Sequence, residues 1–528
     1  VREGLRPARH QPAVVTGQIS NRPVRVGLIS LGCAKNLVDA EVMLGTLLRE
    51  GMELTNDAAR ADVLLVNTCA FIDAAQQESV EAILELAQLR AARRRSQALV
   101  VAGCLPQRFR AQLPRLLPEV DAFMGGDQLP QAASIMRQAL ARRAQANNKT
   151  QKTRGLSPPP LVQVNPRPAY LPDWRAPRFR LTPPHYAYVK IAEGCNHPCS
   201  FCTIPRIRGR HRSRPPADIV AEAQRLLAAG VRELNLISQD STCYGLDLRP
   251  RQAGAPGSAG QADRAAQPPP ADTPTLCALL RQLNALPGEF WIRLLYTHPA
   301  HWSDELIETV AACPKVARYA DIPLQHIHDV ILERMRRETS RAQIVQLLRN
   351  LRARLPGITL RTTFIVGFPG ETEAQFQTLL DFIQETRFER LGVFTYSQEE
   401  GTVAGRMANQ TPAAVKRRRR DLALRLQRGI ARQLAAACVG RELKVLVERL
   451  APAADLRPAE VGSWEHGLVR QGEPPLRRLR GPWSLARSEA DAPDVDGRVY
   501  VRGQLPLGEF ARVRVVGHTD YDLIAERA

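Results

Sequence analysis

Short apolar runs and amphipathic stretches alternate along this chain from residue 24 onward. The runs VRVGLISLG (24–32), DVLLVNTC (62–69) and ALVVAGC (98–104) precede helical patterns, at 37–50 and 74–92 for the first two. Strand-length apolar runs alternating with amphipathic helices predict βαβ units and a parallel sheet. Residues 1–22 read as a loose extension, and this first α/β domain as 23–143. From 144 to 184 the pattern breaks at Pro158, Pro159, Pro160, Pro166, Pro168, Pro172, Pro177, Pro183 and Pro184. Proline fixes φ and removes a hydrogen-bond donor, so this stretch is expected to be a linker.

Alternation resumes at YAYVKIAEG (186–194), with strand candidates at 233–239, 291–296, 317–322, 358–366 and 391–397. Six strands are too few for a closed eight-stranded barrel. They predict an open, partial (βα)6 barrel over 185–437, working at the C-terminal ends of its strands. Residues 249–274 are low in complexity and are expected to form a surface insertion. After a basic helix at 412–436, β-type runs at 441–450, 466–471, 497–503 and 510–525 appear without helices. They predict a small antiparallel β-barrel at 438–528, with a second insertion around 451–483. The fold class is therefore α/β in its first two domains, with an all-β third. No internal repeat is evident.

Composition adds less. The chain has 528 residues, 44% of them apolar, and no run approaches the ~18 apolar residues a membrane span needs. The N-terminus is basic without an apolar core, so neither membrane nor secretion is expected, and a reducing cytoplasm follows. The 73 basic against 53 acidic residues leave +20. Between Thr411 and Leu450 there are 11 Lys or Arg against three acids, including Lys416 to Arg420. That run is either a phosphate-contacting surface, for instance toward rRNA, or a solvated helix face.

Six of the ten cysteines carry chemistry. In GCNHPCSFC the spacing is Cys195-x3-Cys199-x2-Cys202, directly after a strand. Three thiolates hold three irons of a 4Fe–4S cube and leave the fourth open. Zinc would require a fourth donor, and His197, wedged between the others, would be a strained one. Cys33, Cys69 and Cys104 are distant in sequence, yet each ends a predicted strand. In a parallel sheet those ends share one edge, so the three can converge as a second cluster site. Buried free cysteine is the alternative for any one of them.

The Cys-x3-Cys-x-aromatic-Cys motif at the end of a first barrel strand resembles the radical S-adenosylmethionine (SAM) enzymes. Two cysteine triads, a partial barrel and a terminal small barrel together resemble the methylthiotransferases. The closer likeness is to the branch acting on an aspartate of the twelfth small-subunit ribosomal protein. It rests on SLGCAKNLVDAE (30–41), VNTCAFIDAAQQES (66–79), AGCLPQR (102–108), LTPPHYAYVKIAEGCNHPCSFCTIPRIRGRHRSRP (181–215), DIPLQH (321–326), MRRETS (335–340), RTTFIVGFPGETE (361–373), GVFTYSQEEGT (392–402) and DAPDVDG (491–497). These stretches span most of 24–440 and part of the final domain, which the resemblance makes TRAM-like. The extension, the long linker and both insertions depart from the compact family pattern.

The resemblance implies two 4Fe–4S clusters, an auxiliary one on Cys33, Cys69 and Cys104 and a SAM-binding one on Cys195, Cys199 and Cys202. SAM would serve as methyl donor and as source of a 5′-deoxyadenosyl radical that takes a hydrogen from the aspartate β-carbon. It also implies an electron donor such as flavodoxin or ferredoxin, and that the cysteine edge of the first domain docks over the barrel mouth. The rival reading within the family is a tRNA-adenosine methylthiotransferase; outside it stands a ribosome-binding protein with structural clusters.

Candidate SAM contacts are Gly367 and Gly370 in GFPGE, Gln239 in Ser238-Gln239-Asp240, and Phe201. Their alternatives are a tight turn, a cap on the next element and a loop filler. Cys243, Cys277, Cys313 and Cys438 have no partner spacing and are expected to be core or incidental. His326 and His328 are expected at a strand end rather than on a metal. The aromatic residues of the last domain are too sparse for a base-stacking platform.

Overall fold

The computed structural model describes residues 22–93, 96–146, 159–248, 274–451, 461–463, 468–470 and 481–528. The N-terminal extension up to residue 21, the insertion at 249–274 except its last residue, and most of the 451–483 insertion lie outside them.

The first domain is a six-stranded parallel sheet built of β1 (Arg25–Ser30), β2 (Glu53–Leu54), β3 (Val63–Thr68), β4 (Ala98–Gly103), β5 (Ala122–Met124) and β6 (Leu161–Gln163). Their order is β2-β1-β3-β4-β5-β6. Strand β3 is buried throughout, as its unbroken apolar run requires of a strand covered on both faces. Helices α1 (Ala34–Arg49), α2 (Asp73–Arg93) and α3 (Cys104–Phe109) follow β1, β3 and β4. Three strands were not legible in the sequence, and β2 has only two residues. β5 has three residues, and β6 lies within the proline-rich stretch expected to be only a linker. There β6 pairs parallel to β5 at the sheet edge, where proline-rich flanks interrupt no ladder.

The second domain carries the six expected strands: β7 (Tyr186–Lys190), β8 (Glu233–Ile237), β9 (Trp291–Leu294), β10 (Tyr319–Asp321), β11 (Thr359–Val366) and β12 (Arg390–Thr395). They form two parallel three-stranded ladders, linked by a single parallel bridge, Ile292 to Val316. Period-two alternation sorts the side chains of β7. Ala187 and Val189 join the core beneath the helices, while Tyr186 and Tyr188 face a separate interior cluster. Val38 of α1 enters that interior cluster too, so the first domain packs directly into the barrel.

The third domain is a closed barrel of β13 (Glu442–Leu450), β14 (Trp483–Ser488), β15 (Val499–Arg502), β16 (Phe510–His518) and β17 (Leu523–Arg527). It is antiparallel as expected, except that β15 and β17 pair in parallel. Strand β14 begins at the end of the expected insertion and was hidden by it. The segment after β14 seals the end of the central barrel where its strands begin. There the Tyr186 hydroxyl donates to Asp494 (2.7 Å) and the Tyr319 hydroxyl to Asp496 (2.6 Å). Buried Glu233 pairs with Arg293 at 2.7 Å and with Arg487. The DAPDVDG stretch is thus a plug that leaves the opposite mouth to the chemistry.

Candidate cluster sites at the sheet edge and the barrel mouth

Cys33 precedes α1, Cys69 follows β3 and Cys104 opens α3, all at one edge of the first sheet. Register places them there, since Ser30 pairs with Asn67 and Thr68 with Gly103. Side chains brace the edge. The Ser79 hydroxyl accepts from Cys69 N–H (3.1 Å) and donates to Cys69 C=O (2.8 Å). Thr68 ties β3 to β4 by donating to Ala102 C=O at 2.6 Å, and Asn67 donates to Asn36 C=O at 2.8 Å. Gly32 has φ +89°, and a Cβ there would stand 2.8 Å from Cys69 Cβ, so only glycine lets these two segments approach. Burial raises the Cys69 thiol well above its ordinary range, and its Cys104 and Cys33 neighbours push the same way. Burial also raises Cys104 against the pull of Arg208.

Cys195, Cys199 and Cys202 lie on the loop after β7. Cys195 N–H donates to Gly209 C=O (3.1 Å), and Ser200 N–H to Met335 C=O (2.9 Å). The Ser200 hydroxyl donates to Arg334 C=O at 2.7 Å. Arg337 Nη1 stands 3.6 Å from Cys199 Sγ. Burial pushes the Cys195 thiol up to about 12 and the Cys202 thiol higher still. His197 does not turn toward these thiols. Its Nδ1 meets Glu338 at 2.6 Å and its Nε2 meets Asp240 at 2.7 Å. Burial alone would lower its pKa, but the two carboxylates outweigh that and raise it to about 9.

The two triads are joined by one polar chain. Arg208 Nη2 reaches Cys104 Sγ at 3.3 Å, and its Nη1 pairs with Asp39 at 2.5 Å. Lys190 Nζ bridges Asp39 (2.6 Å) and Glu193 (2.5 Å). Gln239 donates to Glu193 at 2.5 Å and accepts from Gly194 N–H, beside Cys195, at 2.7 Å. Asp39, Lys190, Glu193 and Arg208 also line a small cavity between the two domains.

Of the other expected contacts, Phe201 is half-buried against a cluster containing Phe368 and Tyr396. A Cβ on Gly367 would meet Lys416 at 2.4 Å, and one on Gly370 would meet the Arg334 guanidinium at 2.5 Å. Glu371 accepts from Phe368 N–H within the same turn, at 3.2 Å. His326 meets Glu371 at 3.4 Å and accepts from His328 N–H. Cys277 and Cys313 sit in the barrel core and Cys438 packs on the terminal barrel, as expected. Cys243 differs, lying among polar groups. No individual role for Arg208, Asp39, Lys190 or Lys35 was legible in the sequence, although all stand inside the quoted motifs.

Three family models match in succession: "Uncharacterized protein family UPF0004" at 25–125, "Radical SAM superfamily" at 189–383 and "TRAM domain" at 480–527. With the loop triad at the barrel mouth, they define a radical SAM enzyme. A ribosomal protein uS12 methylthiotransferase RimO from Opitutus terrae is 51% identical over 95% of this chain and 96% of its own. Its counterpart from Akkermansia muciniphila is 48% identical, over 96% and 100%. The chain belongs to this RimO family of methylthiotransferases. Among solved structures, the radical SAM methyltransferase TsrM from Kitasatospora setae aligns with TM-score 0.46 and 15% identity, over 82% of this chain and 78% of its own.

Proposed function

We propose that this chain methylthiolates the β-carbon of an aspartate in ribosomal protein uS12. The observation that carries the reading is two cysteine triads on either side of the domain boundary, joined by a polar chain that begins with Arg208 on Cys104 and ends at Gly194 beside Cys195. Cys195, Cys199 and Cys202 would hold one 4Fe–4S cluster and Cys33, Cys69 and Cys104 the other. The donor sets fit: three soft thiols each, one too few to close a cube, each triad beside a guanidinium that favours thiolate. Bound clusters with SAM supply radical hydrogen abstraction and transfer of the methylthio group, which no acid or base here can perform on an unactivated C–H bond.

The protein's own contribution is placement and exclusion of water. Arg208 and Asp39 lock the sheet edge against the barrel loop, and Arg108 repeats this by pairing with Glu399 at 2.7 Å. We assign Gln239, which holds Gly194 N–H beside Cys195, to polar groups of SAM, and Phe201 to packing against it. We assign a SAM role to Gly367 and Gly370 only through backbone groups, because side-chain atoms of Lys416 and Arg334 crowd both positions. Lys35 is a buried cation with its Nζ 3.0 Å from the Tyr296 ring centroid, near Cys33. Its charge fits the carboxylate of the substrate aspartate.

The reading implies a cytoplasmic reaction at the site of ribosomes, supplied with electrons by a low-potential donor such as flavodoxin or ferredoxin. Contacts to rRNA would fall first to exposed Arg417, since Lys416 donates to Tyr396 C=O, Arg418 donates to Glu373 at 2.8 Å and Arg419 is buried on Glu371. The test is mass spectrometry of uS12 and of digested tRNA from a deletion strain complemented with this chain. Restoration of the SCH2 increment on a uS12 aspartate supports the reading. Restoration of a tRNA methylthio base instead overturns it. In the purified protein, Cys199→Ala should abolish SAM cleavage to 5′-deoxyadenosine, whereas Cys69→Ala should keep it and lose the methylthiolated product.

A further inference from the structure

Beside the loop triad, but not part of it, four side chains converge that neither cysteine set uses. His197 comes from the loop after β7, Asp240 and Cys243 from the loop after β8, and His301 from the loop after β9. His197 Nε2 and Asp240 Oδ2 are 2.7 Å apart, and His301 Nδ1 is 3.2 Å from the same oxygen. Cys243 Sγ lies 3.1 Å from Asp240 Oδ2, 3.2 Å from His301 Nδ1 and 3.9 Å from His197 Nε2. All four donor atoms fall within 4.8 Å of one another.

We propose that His197, Asp240, Cys243 and His301 form a zinc site, separate from both cysteine triads, that pins the loop of Cys195–Cys202 to the next two barrel loops. The donor set is two imidazoles, one thiol and one carboxylate, which suits zinc in a closed tetrahedral centre. Bonds of ~2.0–2.3 Å in a tetrahedron separate neighbouring donors by roughly 3.3–3.8 Å, so the pairs now hydrogen-bonded at 2.7–3.2 Å open by at least ~0.1–0.6 Å as their protons leave, while Cys243 and His197, 3.9 Å apart, close slightly.

The surroundings fit a metal as well as the donors do. His197 offers its other nitrogen to Glu338 at 2.6 Å, the carboxylate–histidine–metal arrangement that fixes ring orientation. The Asp240 oxygen not assigned to the metal accepts from Thr242 N–H at 2.9 Å and from its hydroxyl at 2.5 Å. His298 stacks on His197 with centroids 4.1 Å apart, 11° from parallel. His301 is the most exposed of the four and gives the ion its way in. Binding would form four bonds to the metal and release the protons of Cys243 Sγ and His197 Nε2 to solvent.

The test uses the full chain, reconstituted anaerobically until iron and sulfide fill both triads, then given one equivalent of Zn2+ and desalted. Elemental analysis should find one zinc per chain, and zinc-edge X-ray absorption should find a single sulfur ligand. Cys243→Ser and His301→Ala should each cut retained zinc at least tenfold with iron unchanged. Circular dichroism checks that each is folded, and His301→Ala, at the more open position, stands if Cys243→Ser does not. Zinc absent from the loaded protein, zinc with three sulfur ligands, or zinc retained by either folded variant would overturn the proposal.

Discussion

Arg208 Nη2 stands 3.3 Å from Cys104 Sγ, so a cation carried just past the barrel's cysteine loop touches the other cysteine triad. Arg208 is buried and also pairs with Asp39 of α1. Burial opposes its charge, but Cys104, Asp39, Glu193 and Cys33 more than offset that and hold it fully protonated. Replacing it with Met would leave Asp39 to Lys190 alone and remove the positive charge beside the thiols. Loss of such an outer partner typically costs ~10–100-fold in metal affinity. Arg208→Met should therefore drop reconstituted iron from eight per chain toward four, with SAM cleavage retained. Iron analysis and 5′-deoxyadenosine assay check this, and eight irons in the variant would remove Arg208 from the cluster's support.

Gly194 has φ +86°, and a Cβ on it would stand 2.1 Å from Arg210 C=O. That oxygen belongs to backbone and cannot rotate away. Gly230 has nearly the same φ, +89°, with open space around it. Gly230→Ala should cost only the backbone strain, ~1–3 kcal/mol. Gly194→Ala should cost more than its control, displace Cys195 and lose the loop cluster. Urea melts of both variants, with iron content, separate clash from strain; equal losses would mean the close approach does not matter.

Acid should loosen the terminal barrel from the central one. Glu448 on β13 accepts from Arg487 at 2.8 Å and lies 3.3 Å from His185. Burial would raise its carboxyl, but Arg487 and His185 outweigh that and pull it down to about 2. A depressed folded-state pKa stabilises fully above the unfolded value of ~4.3 and is lost as pH falls through the folded one. The urea midpoint should therefore fall between pH ~4.3 and 2. In Glu448→Gln that part of the pH dependence should be missing. A parallel pH profile in the variant would assign the acid sensitivity elsewhere.

Much of this was legible in the sequence because the six cysteines sit at strand ends, and a parallel sheet or barrel collects such ends by rule. The polar chain between the triads was not. Lys190 and Asp39 are 151 residues apart, and Arg208 and Cys104 are separated by 104, so no local spacing announces them. Cys243 looked incidental for the same reason, since His301 is 58 residues away. The edge strand β6 was masked by prolines, which a sheet edge tolerates and a central strand does not.

Lys35 separates the aspartate reading from a generic radical SAM site. Burial lowers its pKa, and Cys33, Glu193 and Asp321 pull it back. Its close contact is the face of Tyr296, a weaker partner than a carboxylate. Among the described residues Cys33, Glu193 and Asp321 act on it only through space and no carboxylate is hydrogen-bonded to it, a costly state for a buried cation, so we assign its direct counter-ion to the substrate carboxylate. Truncating one partner of a buried, hydrogen-bonded charge pair costs ~2–5 kcal/mol, roughly 30-fold or more in binding. In Lys35→Met, KM for uS12 should rise by about that factor while abortive SAM cleavage without uS12 stays at the parent rate. If SAM cleavage fell equally with and without uS12, the lysine would be serving the cofactor rather than the aspartate.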